Sequence, residues 1–444
     1  VVDQLADRVA AALRRRWDEP VEVTEPRRLA GGASREIWAV TARAGGRERR
    51  LVLRRAAVAA QGRADLELEA AALAAAGKAE VPVPAVHGLV PDVGLLMDHV
   101  EGESIPRRLL RDDRWSAARS VLAGQLGRAL ARIHSIPPAE LPALVGGDAL
   151  ESLRAEHDAY GEPRPALEVA FRWLTEHRPP PAPAVVLHGD FRNGNLMVGP
   201  DGLRAVLDWE LVHLGDPAQD LGWLCAKPWR FGADAPVGGF GSRAELLAGY
   251  AEVAGWAPDE ATLRWWELFG TARWAVICRR QAQRHLDGSE PSVELAVIGR
   301  RICESEYDLL RELGLAGPSP VTDPLTAAGR PDPSSVHDRP GVDELLAAAA
   351  GFLSADLADL EPRLRFHARV AANAVAVARR ELLLGPAQRA AHQARLARLE
   401  CTDDAALVAA IRSGSLDDRW DEVLAAVRAS TIDKLAVANP RYLA

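Results

Sequence analysis

Residues 1–17 (VVDQLADRVAAALRRRW) place apolar side chains at helical intervals, the pattern of an amphipathic helix. Two short apolar runs, Ala184-Val185-Val186-Leu187 and Leu203-Arg204-Ala205-Val206-Leu207, are strand-like, and each gives way to a polar loop. Upstream, Leu51-Val52-Leu53-Arg54-Arg55 alternates so that Val52 and Arg54 share one face, with Leu51, Leu53 and Arg55 on the other. Residues 94–100 read as a further strand ending in a glycine turn at Gly102. After residue 240 the apolar period becomes three to four, which predicts helices over 246–254, 265–283 and 293–313. Residues 314–340 are rich in Pro, Gly and Ser without a period and read as a linker. From 341 to 444 the helical pattern returns. Leu345, Leu346, Ala349, Phe352, Leu353, Leu357 and Leu360 form one stripe and Phe366, Val370, Asn373 and Val377 another, predicting a bundle of four or five helices.

The loops after the two apolar runs carry the chemistry. His188-Gly189-Asp190-Phe191-Arg192-Asn193-Gly194-Asn195 follows the first, and Asp208-Trp209-Glu210 the second. Phosphoryl transfer is mostly positioning and charge neutralisation: one carboxylate takes the acceptor proton, while a second carboxylate and an amide oxygen hold a metal on the phosphates. H-x-D with Asn five residues after the Asp keeps the kinase catalytic-loop interval, so Asp190 is the candidate base and Asn195 and Asp208 the candidate Mg²⁺ ligands. Arg192, two residues after Asp190, is placed to neutralise charge in the transition state. A turn between buried strands would need the glycines but neither the interval nor the second aspartate. His188 is expected to brace the loop, and Asp216 and Asp220 to be turn and cap residues around Pro217.

HGDFRNGNLMV, continued by VLDWELVHLGDPAQDLGWL, resembles the aminoglycoside phosphotransferase family, a small-molecule branch of the kinase-like fold, over residues 20–315. Its wording is most similar to the phosphotransferase domain that some proteins fuse to an acyl-CoA dehydrogenase. The resemblance implies an α+β two-lobed fold: a β-rich ATP-binding lobe over 1–102 and a mainly helical catalytic and acceptor-binding lobe over 103–317. The linker, 318–340, and an all-α helical accessory bundle, 341–444, would follow. RFHARVAANAVAVARREL and the closing NPRYL resemble a short helical domain of unknown function that accompanies this phosphotransferase type.

The resemblance also implies a nucleotide site. Ser34, within LAGGASREIWAV, and the main chain near it would meet phosphate. The chain's lysines are Lys78, Lys227 and Lys434, none in a strand of this lobe, so Arg54 takes the family's cationic position. Its partner would be Glu69, with Glu67 as rival. Met97 would line the adenine pocket, and Asp98, His99 and Val100 would supply the hinge.

Composition narrows the remaining classes. A length of 444 residues calls for two or three domains. A net charge of −8 leaves no electrostatic footprint for nucleic acid, and no apolar stretch reaches membrane-span length. Early acids in place of a secretion signal lead to the expectation of a cytoplasmic protein. The four cysteines form no ligand set and are expected to be buried thiols. The reading is an ATP- and Mg²⁺-dependent kinase for a small-molecule hydroxyl acceptor, which kinship suggests is a hydroxyacyl-CoA. Alternatives are an aminoglycoside or amino-sugar kinase, and a nucleotide-binding scaffold for an acyl-CoA enzyme. The helical domain would pair with an acyl-CoA dehydrogenase or with itself.

Overall fold

The computed structural model describes residues 2–29, 36–55, 60–90, 93–326, 342–357 and 360–444. In chain order these form helix α1 (Val2–Trp17), strands β1 (Val21–Arg28), β2 (Ile37–Ala44) and β3 (Arg47–Arg55), helix α2 (Ala60–Lys78), and strands β4 (Val86–Val90) and β5 (Gly94–Asp98). Helices α3 (Pro106–Arg111), α4 (Ser116–His134), α5 (Ala149–Ala159) and α6 (Pro165–Glu176) follow. Short strands β6 (Val185–Leu187), β7 (Leu196–Gly199), β8 (Gly202–Val206) and β9 (His213–Gly215) precede α7 (Pro217–Cys225), α8 (Arg243–Ala254) and α9 (Glu260–Leu286). The last helices are α10 (Val293–Gly299), α11 (Ile302–Glu312), α12 (Val342–Gly351), α13 (Pro362–Arg398), α14 (Asp404–Ser413) and α15 (Trp420–Ala438). The chain divides into two compact units, Val1–Ala149 with Pro179–Glu267, and Leu150–Arg178 with Leu268–Ala444.

In the first unit an antiparallel sheet runs in the order β1-β2-β3-β5-β4. Gly45 and Gly46 both have positive φ and close the β2–β3 hairpin in two residues, a turn that a side chain would strain. Strand alternation then sorts the sheet's faces. Leu51 and Leu53 pack with Leu5, Val9 and Leu13 of α1, while Leu95 joins Leu66 and Leu73 of α2 in the larger core. Arg54 lies between Leu53 and Arg55 on the α2 face, where Glu69 receives it. The remainder of this unit is mainly helical. α4 and α8 cross so closely that a Cβ at Gly127 would lie 2.1 Å from the Leu246 carbonyl oxygen, and one at Gly249 equally close to that of Gly124. That crossing supports the pairs β6–β9 and β7–β8, whose loops hold the polar clusters around Asp190 and Asp208.

The second unit has a core drawn from distant segments: Ala166 and Val169 of α6, Leu310 of α11, Leu396 of α13, Leu407 and Ile411 of α14, and Val423 and Val427 of α15. Its buried acids receive donors from the chain's final residues. Asn439 Nδ2 donates to Glu304 at 2.9 Å, Tyr442 Oη donates to Asp308 at 2.6 Å, and Leu443 is fully buried. The NPRYL ending is therefore an anchor. All four cysteines are buried, and burial pushes the Cys278 and Cys303 thiols up to about 12. Most of the expected linker, from 327 onward, lies outside the described residues.

Candidate active site

The loop after β6 is held by groups buried beneath it. Asp220 of α7 accepts the main-chain N–H of His188 at 2.7 Å and of Gly189 at 3.0 Å. Its own burial opposes ionisation, but the hydrogen bond and charge of His134 hold its pKa below the ordinary carboxylate value. Asp216 caps α7 as expected, accepting from the Ala218 N–H at 2.8 Å. Asp220 is different: it is a loop anchor and not a cap. Gly189 is required by geometry, with φ of 80° and a carbonyl oxygen, that of Leu211, 2.1 Å from where a Cβ would sit.

His188 is fully buried and uses both ring nitrogens. Nδ1 accepts from the Asp190 N–H at 3.2 Å, so Nε2 carries the proton and donates to the Leu207 carbonyl at 3.0 Å. Burial lowers its pKa despite the nearby aspartates, so the ring is neutral and braces the two loops.

Three side chains donate to Asp190. Trp223 Nε1 donates to its Oδ1 at 2.8 Å, Asn195 Nδ2 to its Oδ2 at 2.6 Å, Asn195 Nδ2 also to its main-chain oxygen, and Arg192 Nε to the carboxylate at 3.0 Å. The Arg192 guanidinium also lies 4.4 Å from the Trp229 ring centroid. The β7–β8 register, Leu196 opposite Val206, sets Asn195 beside Leu207, whose N–H donates to the Asn195 carbonyl at 2.8 Å. Asp208 follows at once, with φ of 67°, a left-handed conformation that aspartate tolerates and that clusters at functional sites.

Arg54 ties the sheet to this loop. Its Nη2 reaches Asp208 at 2.6 Å and Glu210 at 2.7 Å, and its Nη1 pairs with the buried Glu69. Burial works against the charged guanidinium, yet the three carboxylates outweigh it and raise its pKa. Glu67 points outward and is exposed, so the rivalry between Glu67 and Glu69 falls to Glu69. In the segment expected to form the hinge, Met97 packs against the larger core. The Asp98 N–H donates to the Ala85 carbonyl at 2.9 Å and the His99 N–H to that of Arg50 at 3.0 Å. The Asp98 carboxylate meets the His87 ring at 2.6 Å, and burial, followed by the charge of Arg50, lowers the His99 pKa. Val100 follows, half-buried. Ser34 lies outside the described residues.

Among the described residues no group of three or more His, Cys, Asp or Glu side chains could hold a metal by itself. A kinase-type Mg²⁺ does not need one, because it takes one or two protein oxygens and completes its shell with phosphate and water. The donor set fits such an ion in charge: Arg54 faces three carboxylates, leaving local negative charge that a dication would neutralise.

Four contributors escaped the sequence reading: Trp223, Trp229, Glu210 as a partner of Arg54, and Asp220 as the loop anchor. Trp223, Glu210 and Asp220 all lie within the DWE…GDPAQDLGW stretch, whose length beyond Asp208 was the available signal.

A small antiparallel sheet joined through a buried arginine to a helical region bearing Asp190, Asn195 and Asp208 is the architecture of a kinase-like phosphotransferase. Residues 25–266 match the model of the phosphotransferase enzyme family, and the chain belongs to that family. Residues 358–442 match a domain of unknown function, DUF6285. Among solved structures, the chain is similar to a provisionally assigned aminoglycoside phosphotransferase from Ralstonia eutropha, with TM-score 0.55, 21% identity, and coverage of 69% of this chain and 98% of that one. It is also similar to the macrolide 2′-phosphotransferase MphH from Brachybacterium faecium, with TM-score 0.49 and 19% identity over 68% of this chain and 97% of that one. A mouse protein, acyl-CoA dehydrogenase family member 10, is 44% identical over 63 residues, which are 14% of this chain and only 6% of that protein. No helix among the described residues is long and apolar enough to cross a membrane.

Proposed function

We propose that this chain moves the γ-phosphoryl group of Mg-ATP to the hydroxyl of a small molecule, with a hydroxyacyl-CoA as the acceptor class. The observation that carries the reading is the fixed Asp190 carboxylate, oriented by Trp223, Arg192 and Asn195 beside the Asp208 loop. In this reading Asp190 receives the acceptor proton, and Asn195 Oδ1 and the free Asp208 oxygen hold Mg²⁺, which supplies charge neutralisation on the phosphates. Arg54, set by Glu69, steadies the α- and β-phosphates. Met97 and the main chain of Asp98, His99 and Val100 meet the adenine, and Ser34 meets phosphate. Arg192, released from Asp190 by substrate, faces the transferred group. Residues 1–102 and 103–317 act as the two lobes, and the helices after the 318–340 linker as an accessory domain.

The acyl-CoA assignment draws on the short identity to the mouse acyl-CoA dehydrogenase family member. ADP release from Mg-ATP, measured with the protein and its Asp190→Asn variant across hydroxyacyl-CoAs, free hydroxy acids, sugars and aminoglycosides, tests both levels. Stimulation by hydroxyacyl-CoAs that falls about a thousandfold in the variant is the expected result. Stimulation by aminoglycosides alone would replace the acceptor, and nucleotide binding without turnover on any acceptor would replace the enzyme by a scaffold.

A further inference from the structure

Helices α10, α11, α13 and α15 of the second unit line an open cavity of about 460 Å³, none of whose lining residues comes from the unit that holds Asp190. That volume is in the range of small-molecule sites. Its wall is richer in cations than in acids, although the chain as a whole carries −8.

The pairing of those charges leaves a remainder. Arg300 meets Glu381 at 2.9 Å, and His392 meets Asp404 at 3.3 Å. Arg164 and Lys434 share the buried Glu306. Arg395 Nη2 pairs with Asp433 at 2.5 Å, but its Nε–H is buried with no acceptor among the described residues. Arg389 has no ion-pair partner among the described residues and projects into the same wall. A buried orphan donor costs about 1–3 kcal/mol unless something accepts from it. The sequence breaks a helix rule at the same place: Gly385 and Pro386 lie inside the 37-residue α13, which continues through them, and Gly385 itself lines the cavity. Proline there removes a helix hydrogen bond, and such local violations concentrate at functional positions. Ile302, Val437 and Ala438 add an apolar side.

We propose that this cavity is a binding site for a small organic phosphate, whose phosphate oxygens accept from Arg389 beside the Arg395 guanidinium while its organic part rests on Ile302, Val437 and Ala438. The guanidinium fork matches phosphate oxygens bidentately, and a phosphate carries more charge and more acceptor oxygens on one centre than a carboxylate, so it can meet two arginines at once; the site is independent of the proposed transfer reaction.

Hydrogen–deuterium exchange on the full chain gives a readout local to the cavity, so phosphate bound elsewhere does not register. Pyrophosphate is the probe, magnesium is omitted, and citrate at equal ionic strength is the carboxylate comparison. Saturable slowing of exchange over residues 381–395 and 430–438 is expected with pyrophosphate. The Arg389→Ala variant, whose side chain is exposed and not needed for packing, should weaken it about tenfold at unchanged thermal midpoint. No slowing, slowing that Arg389→Ala leaves unchanged, or equal slowing by citrate would each overturn the proposal.

Discussion

Each unit buries a network of charges, and the two are built on opposite plans. In the second unit Lys434, Glu306, Arg164, Glu162 and Arg279 alternate in sign along a chain, with contacts of 3.3, 3.2, 3.0 and 2.6 Å. Every acid there sits between two cations, and Glu306, fully buried, keeps its pKa below the ordinary value because Lys434 and Arg164 outweigh its desolvation. In the first unit one cation, Arg54, faces Glu69, Asp208 and Glu210. An alternating chain is complete as it stands, whereas a star of carboxylates around one guanidinium retains mutual repulsion. The first arrangement suits a fixed scaffold; the second suits a site that meets cations and phosphates during turnover.

The sharpest way to break this contrast is Arg54→Met. Three carboxylates lose their shared cation, and stability should fall by about 4 kcal/mol in urea unfolding, with millimolar Mg²⁺ restoring part of it. Glu306→Gln should cost about 3 kcal/mol, and Mg²⁺ should restore nothing. If the ion rescued both variants or neither, the two networks would not differ in kind.

Trp223→Phe removes the N–H aimed at Asp190 and should lower turnover about tenfold with the acceptor KM little changed. A rise in KM alone would assign Trp223 to acceptor binding.

The pH profile offers a finer test. His188 and, in the second unit, His157 have pKa values lowered by burial from the ordinary 6.5. Their contribution to stability is complete above pH 6.5 and is lost as pH falls toward the folded-state values, because only the unfolded chain takes up the proton. Urea midpoints between pH 7.5 and 5 should decline, and His188→Leu should flatten part of that slope. Smallest of all, Arg43→Ala breaks an exposed pair with Glu48 and should change stability by less than about 0.5 kcal/mol.

The kinase-like class was legible in the chain because its signature is an interval. Asp190 to Asn195, and the second aspartate at the end of an apolar run, depend only on strand and loop geometry within about 20 residues. The loop's supports were not legible. Trp223 reaches Asp190 across 33 residues and Arg54 reaches Asp208 across 154, and no local pattern records which distant donor a fold will deliver. The helical pattern after residue 341 was likewise readable, but its core turned out to be shared with Ala166, Val169 and Leu310 from far upstream. Amphipathic periodicity marks a face for burial without naming what covers it.

Arg54 condenses the division between the two kinds of information. Strand alternation, a property of the covalent backbone, was enough to place its side chain opposite Leu51 and Leu53. The preference for Glu69 over Glu67 came from the family resemblance, and periodicity alone could not supply it. Two residues along a helix differ by about 200° in direction, so only the docking of α2 against the sheet could turn one glutamate inward and leave the other in solvent.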